Sequence, residues 1–339
     1  MKNILLATTA LFATAGFAAA EVSLSGSAEM GIFGGDTNIE GADDIPTQFH
    51  TDIDVKFTLS GSTDSGLTFG ADIDLDESND NDAFAGNTQG GESIFVSGAF
   101  GTLTMGDTDG AYDKALKEAI IGADIIDTNE HLGYNGNNGL DGEFYDGQIA
   151  RYDYALSNFN FAASLELNDA DDAGDPIFGL GVDYTFPLFG DEHTVGFGYQ
   201  TVDSLSGVDD ADDGVSIYGL SGDFNFGDFN VILNYSAADV DDGLGDFDPT
   251  HFGLAVGYTL DALTLAVNYG EYDDWVLSQN DVFLDTSGIG FIANYDLGGG
   301  LEAQFGYSRS IIDDALIDDD GDLEDAELDA YSLGLSMSF

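Results

Sequence analysis

Cysteine is absent from the 339 residues, so no disulfide staples the fold and no thiolate serves as ligand or nucleophile. Basic residues are nearly as scarce: 6 Lys and Arg stand against 65 Asp and Glu, for a formal net charge of −59. A chain of that sign repels nucleic-acid phosphates and attracts cations. Proline occurs 4 times. Past residue 20 no run of 18 apolar residues occurs, which excludes helical membrane spans. Strong acidity often accompanies disorder. That reading fails here, because 43% of the residues are hydrophobic and they include 25 Phe and 15 Tyr. Something must bury or solvate that apolar surface. Little proline with many β-branched and aromatic residues favours long strands.

Residues 1–20 read as a cleaved signal peptide. Lys2 supplies the positive end, Ile4 to Phe17 a short apolar stretch, and Ala18-Ala19-Ala20 a small-residue cleavage site before Glu21. Losing Lys2 takes the net charge from −59 to −60. Residues 21–339 form the folded unit, and their dominant signal is alternation with period two. Phe49, Ile53, Val55, Phe57 and Leu59 share one face, while Gln48, His50, Asp52, Asp54 and Lys56 share the other. Tyr331, Leu333, Leu335, Met337 and Phe339 alternate with small polar residues in the final segment. The pattern predicts sixteen strands, near 22–34, 47–60, 67–77, 92–100, 102–107, 148–157, 159–168, 177–186, 193–202, 215–226, 229–238, 250–260, 263–272, 286–297, 301–311 and 329–339. Strands of about 9–11 residues suit a tilted bilayer crossing.

Short and long connections interleave strictly. Ser157-Asn158, Gly227-Asp228, Asp261-Ala262 and Gly298–Gly300 are short; the stretches near 35–46, 78–91, 108–147, 273–285 and 312–328 are long. That is the layout of an all-β, antiparallel up-and-down transmembrane barrel. The polar faces carry Asp, Asn, Ser, Thr and Gly, and the apolar faces place Tyr184, Tyr199, Tyr218, Tyr235, Tyr258, Tyr269, Tyr295, Tyr307 and Tyr331 near strand ends, where an interfacial aromatic girdle belongs. A soluble sandwich would need more interior for sixteen apolar faces than this chain supplies.

Glu21–Gly26 (EVSLSG), Phe57–Gly70 (FTLSGSTDSGLTFG), Ile94–Asp107 (IFVSGAFGTLTMGD), Tyr295–Gly300 (YDLGGG) and the terminal strand resemble the Gram-negative porins, particularly their sixteen-stranded alphaproteobacterial type. The resemblance implies an outer-membrane homotrimer with a water-filled pore in each subunit. It also implies partners in the barrel-assembly machinery, for which Phe339 is the assembly signal, and in outer-membrane lipid and lipopolysaccharide. A long third loop is expected to fold inward and narrow the pore. That loop corresponds to 108–147, whose acids are Asp109, Asp113, Glu118, Asp124, Asp127, Glu130, Asp141, Glu143 and Asp146, with a short helix expected over Asp113–Ile121. The family sets a basic wall against this acidic loop. Here the second strand offers Gln48, His50 and Asp52, with Lys56 as its one base, and Arg151 points inward by parity. The expected lining is predominantly negative, so the expected function is a general diffusion pore for small hydrophilic solutes that prefers cations. The alternative is a substrate-specific channel.

Other constellations carry less. Segment Asp318–Glu327 matches part of an EF-hand loop, but Leu316 stands where the first ligand belongs. No cofactor is expected beyond Ca²⁺ or Mg²⁺ held loosely at acidic loops. His50, His131, His193 and His251 have no metal-ligand spacing. No G-x-S-x-G motif points to an enzyme, and no nine-residue repeat points to a calcium-binding solenoid. Arg309 shares parity with Phe305 and Tyr307 and is expected on the outer face, near lipid phosphate. The uncompensated acidic charge predicts dependence on salt, since the Debye length shrinks to about 3 Å at 1 M. Thermal melts in rising NaCl are expected to move the transition upward; a transition indifferent to salt would contradict this.

Overall fold

The computed structural model describes residues 21–39, 43–77, 87–142, 145, 147–168, 174–204, 214–241, 246–277, 283–317 and 323–339. The signal peptide over 1–20, the loop acids Glu143 and Asp146, and residues 318–322 of the EF-hand-like segment lie outside the described residues. Seventeen strands follow in order: β1 (Glu21–Thr37), β2 (Ile45–Ser62), β3 (Thr68–Glu77), β4 (Asn87–Gly98), β5 (Gly101–Asp107), β6 (Gln148–Leu156), β7 (Phe159–Glu166), β8 (Ile177–Leu188), β9 (Asp191–Val202), β10 (Val215–Phe226), β11 (Phe229–Asp241), β12 (Asp246–Phe247), β13 (Thr250–Leu260), β14 (Leu263–Leu277), β15 (Phe283–Gly298), β16 (Leu301–Ile317) and β17 (Leu323–Ser338). The single helix among the described residues, α1 (Ala111–Ala115), lies between β5 and β6.

Each strand pairs antiparallel with its sequence neighbour, and β1 pairs with β17 from Ser27↔Ser338 to Thr37↔Leu328, which closes the sheet. β12 is a two-residue ribbon hooked onto the end of β11, so sixteen strands make the wall. Closure leaves no free sheet edge in the wall, so the ladders can pair their backbone groups without water.

Several wall strands run longer than the alternation predicted, while β6 and β7 end a residue or two sooner, at Leu156 and Glu166. β1 continues to Thr37, β2 starts at Ile45, β4 at Asn87, and β16 and β17 reach Ile317 and Leu323. These extensions carry Asp and Asn and show no apolar period, because both faces of a hairpin that stands in water are wet. Backbone pairing alone continues the ladder there.

Register fixes the faces. Across β1, β2 and β3 the inward set includes Glu29, Asp52, Asp54, Lys56, Asp72 and Asp74, aligned through Glu29↔Asp52 and Lys56↔Asp74. The outward set is greasy: Phe49 is 90% exposed, with Leu24, Ile53, Leu180 and Leu220 also open. Phe159–Tyr184 and Phe229–Tyr258 ring pairs, with centroids 4.4 and 4.5 Å apart, lie near the short-turn end of the barrel. Tyr199 stands beside Tyr218 and Tyr307 beside Tyr331 toward the other end.

The third loop folds inside, and inward glycines make the room. A Cβ on Gly181 or Gly196 would strike the carbonyls of Ala111 and Ala115, one on Gly198 would meet Tyr112, and one on Gly306 the Asp124 carboxylate. The track passes from β8 through β17 to β1, where Gly31 and Gly334 accommodate Ile125. At Gly133 and Gly270 the two backbones touch, each excluding a side chain on the other. Gly270→Val should therefore push the loop off the wall. Overpacking of this kind costs about 1–3 kcal/mol. Limited proteolysis between residues 127 and 142 is expected to accelerate while the barrel ladder persists; unchanged cleavage would count against the docking.

Candidate functional site

The loop hugs the wall rather than crossing the lumen. Ala111, Tyr112, Ala115, Leu116 and Ala119 are buried against it. The predicted helix over Asp113–Ile121 is shorter in the structure and ends at Ala115, with Leu116 extended. The wall captures the backbone that a longer helix would need. Ala111 N–H donates to Ser164 Oγ at 2.9 Å and Lys117 N–H to Ser221 Oγ at 2.9 Å, while Asn234 Nδ2 donates to the Lys117 carbonyl at 2.9 Å. Farther along, Asn294 Nδ2 donates to Ala123 O, Asn268 Nδ2 to Asn129 O, and Leu132 N–H to Ser310 Oγ, all at 2.8–3.0 Å.

Two histidines fasten the tip. His251 Nε2 donates to the Gly133 carbonyl at 3.1 Å, and His131 Nδ1 accepts from Gly133 N–H at 3.1 Å. Burial and the neighbouring His251 push His131 down to about 4, so it is neutral at pH 7. Neither histidine stood out in sequence; only the chain's return into the barrel brings them together.

The expected constriction acids divide. Asp124 is a correction: it is 2% exposed and faces the wall. Its carboxylate accepts the backbone N–H groups of Ile126, Thr128 and Asn129 and the Ser332 hydroxyl, so it shapes the loop and cannot meet a permeating ion. Asp141 is also tied down, accepting from Gly110 N–H at 2.9 Å and from Gln200 Nε2; burial pushes it up to about 6. Asp109, Asp127 and Glu130 are exposed to the lumen. Asp113 and Glu118 are half-buried beside them, with Tyr134 donating its hydroxyl to Glu118. Desolvation, then Asp109 and Glu118, pushes Asp113 up to about 7. Glu130 also rises to about 7, by desolvation and then Asp127, because a side chain open to a narrow tube still has protein on most sides.

On the wall, His50 Nε2 lies 4.0 Å from Glu29 and its ring meets Phe33 edge-on at 6.1 Å. Asp52 is half-buried and Lys56 exposed. Asp54 accepts Ser27 Oγ at 3.1 Å and Asp72 accepts Thr58 Oγ1 at 2.6 Å. Arg151 points inward but is spoken for: Nε donates to Asp153 at 3.1 Å, and its Nη1 reaches the Asp109 carbonyl. The sequence reading missed Lys114 and Lys117, both exposed on the loop, and Glu29. Arg309 is on the outer face as expected, but it is held by Asp329 at 2.7 Å and Glu327 at 3.6 Å rather than free for phosphate. Phe339 is 72% exposed at the barrel rim, its N–H donating to Gly26 O at 2.9 Å.

Among the described residues the arrangement pairs no nucleophile with a base. It offers a closed wall, a polar lumen and a loop narrowing it from one side. A family model for Gram-negative porins matches residues 7–315. The porin of Rhodobacter capsulatus is 30% identical over 344 aligned positions, covering 94% of this chain and 100% of that protein. A porin structure refined at 1.8 Å superposes with a TM-score of 0.69 at 25% identity, covering 94% of this chain and all of that one. An anion-selective porin from Comamonas acidovorans shares the fold with a TM-score of 0.70 at 13% identity, over 95% of this chain and 100% of its own. Gram-negative porins are passive outer-membrane channels and not enzymes, and on this match of sequence and barrel the chain belongs to the Gram-negative porin family.

Proposed function

We propose that the pore is a general diffusion channel for small hydrophilic solutes that prefers cations. The observation that carries this reading is the open wall of β1–β3, where Glu29, Asp52, Asp54, Asp72 and Asp74 face the lumen against Lys56. Asp109, Asp127 and Glu130 add negative charge from the loop side. Fixed charge of one sign in a low-dielectric tube concentrates counter-ions and excludes co-ions. Because an anion-selective porin shares the fold, the barrel itself does not choose the sign; the lining of this chain does.

The same reading extends to assembly. No Tyr or Trp precedes residue 112, so the outward face of β1–β5 lacks the tyrosine girdle that β6, β8–β11 and β13–β17 carry. A lipid-facing arc wants that girdle; an arc facing a second subunit does not. This supports a homotrimer packed through β1–β5. Insertion by the barrel-assembly machinery through Phe339, and Ca²⁺ or Mg²⁺ bridging of acidic loops to lipopolysaccharide, belong to the same proposal.

In planar bilayers under a KCl gradient, the reversal potential is expected to have the sign of K⁺ preference. Asp113 and Glu130 lie near 7, so both are charged above that pH and neutral below it. The preference should fall as pH is lowered through 7. Combining Asp52→Asn, Asp54→Asn and Asp74→Asn should reduce it severalfold; an anion-selective wild type would overturn the proposal. For assembly, Phe49→Lys on the tyrosine-free arc should shift cross-linked species in detergent from three subunits to one. Trimers that persist would place the interface elsewhere.

A further inference from the structure

Beside α1 lies a cavity of about 640 Å³ whose charged lining residues are Lys114, Arg151, Asp153 and Asp183. That balance departs from the rest of the molecule. A chain with 6 Lys and Arg against 65 Asp and Glu sets two of its bases beside only two acids in one cavity. Its room comes from small residues: Ala162 lies opposite Gly181, and a side chain at Gly181 would strike Ala111 and Ala115 of the helix.

The four charges are not equivalent. Arg151 is buried and already donates to Asp153 at 3.1 Å. Asp183 accepts a hydrogen bond from Asn160 at 2.8 Å, which fixes its carboxylate while leaving lone pairs open. Lys114 is exposed and, among the described residues, has no ion-pair partner. A cation at the helix and an acid on the strands beside it therefore face the same space.

From this placement we propose a solute subsite for zwitterions of the amino-acid type, with the solute carboxylate toward Lys114 and its ammonium toward Asp183 and Asp153. The site rests on the channel reading and adds a solute class to it. A bare anion there meets Asp153 and Asp183, and a bare cation meets Lys114 and Arg151. Only a solute carrying both charges, correctly separated, is attracted at each end.

The test compares isomers in planar bilayers at low salt. Glycine is a zwitterion; glycolamide has the same atoms and no formal charge. KCl conductance is recorded first for every variant. Added glycine is expected to reduce the current saturably, and equal glycolamide to leave it nearly unchanged. K114Q and D183N should each weaken the glycine effect about threefold, the scale of one solvent-exposed ion pair. Both positions carry no packing load in the loop's docking, and glycine titrated calorimetrically into detergent-solubilised protein gives a second readout. Equal responses to the two isomers, a stronger response to acetate than to glycine, or variants that keep the wild-type response would each overturn the subsite while leaving the channel intact. A protein that passes no KCl current at all would instead sink the channel reading, and the subsite with it.

Discussion

Inside hydrocarbon a peptide N–H or C=O has no water to turn to, and leaving one unpaired costs several kcal/mol. That single constraint organises this molecule. Strands can cross only if the last one returns to the first, as β17 does to β1. Once the sheet is closed, period two divides every strand into a face for lipid and a face for the lumen. The same alternation that hides Leu24, Ile53 and Phe57 in lipid presents Ser25, Asp54 and Lys56 to water. Fold and transport surface are thus two sides of one residue pattern.

The lumen needs a second device, because an empty tube of sixteen strands does not discriminate. Here a forty-residue excursion turns inward and is held mostly by neutral groups: serine hydroxyls, asparagine amides, two imidazoles and backbone. Neutral fastening suits a chain so acidic, since carboxylates packed against carboxylates would repel. The acids used deeply are matched to donors: Asp124 by N–H groups of its own loop and Ser332, and Glu166 on the wall by the N–H groups of Gly142 and Gly147. Asp109, Asp127 and Glu130 are left open to the lumen. One neighbouring porin of the same fold is described as anion-selective.

Several features of the site were legible before any coordinates. Parity put Lys56 and Arg151 inside and Arg309 outside, and register agrees. Length singled out the third loop. What parity could not give was contact between distant segments. Nothing local marks Asp124 as buried and Asp127, three residues on, as exposed; the difference arises because Gly306 and Ser332 lie against one and the lumen against the other. Helix propensity over Asp113–Ile121 lost to Ser221 and Asn234, which lie over a hundred residues downstream and capture the Lys117 backbone. The inward glycines from Gly181 to Gly334 were visible as letters, but only their common neighbour, the loop, explains them.

The sequence alone therefore determined the barrel, its closure, its sidedness and the sign of its charge, because alternation, turn residues and composition act within one strand or its immediate partner. Tertiary structure decided which acids face the lumen, where the loop lies, and that scarce bases gather with two acids beside α1. Those depend on groups far apart in the chain meeting across a lumen whose shape exists only once the wall has closed.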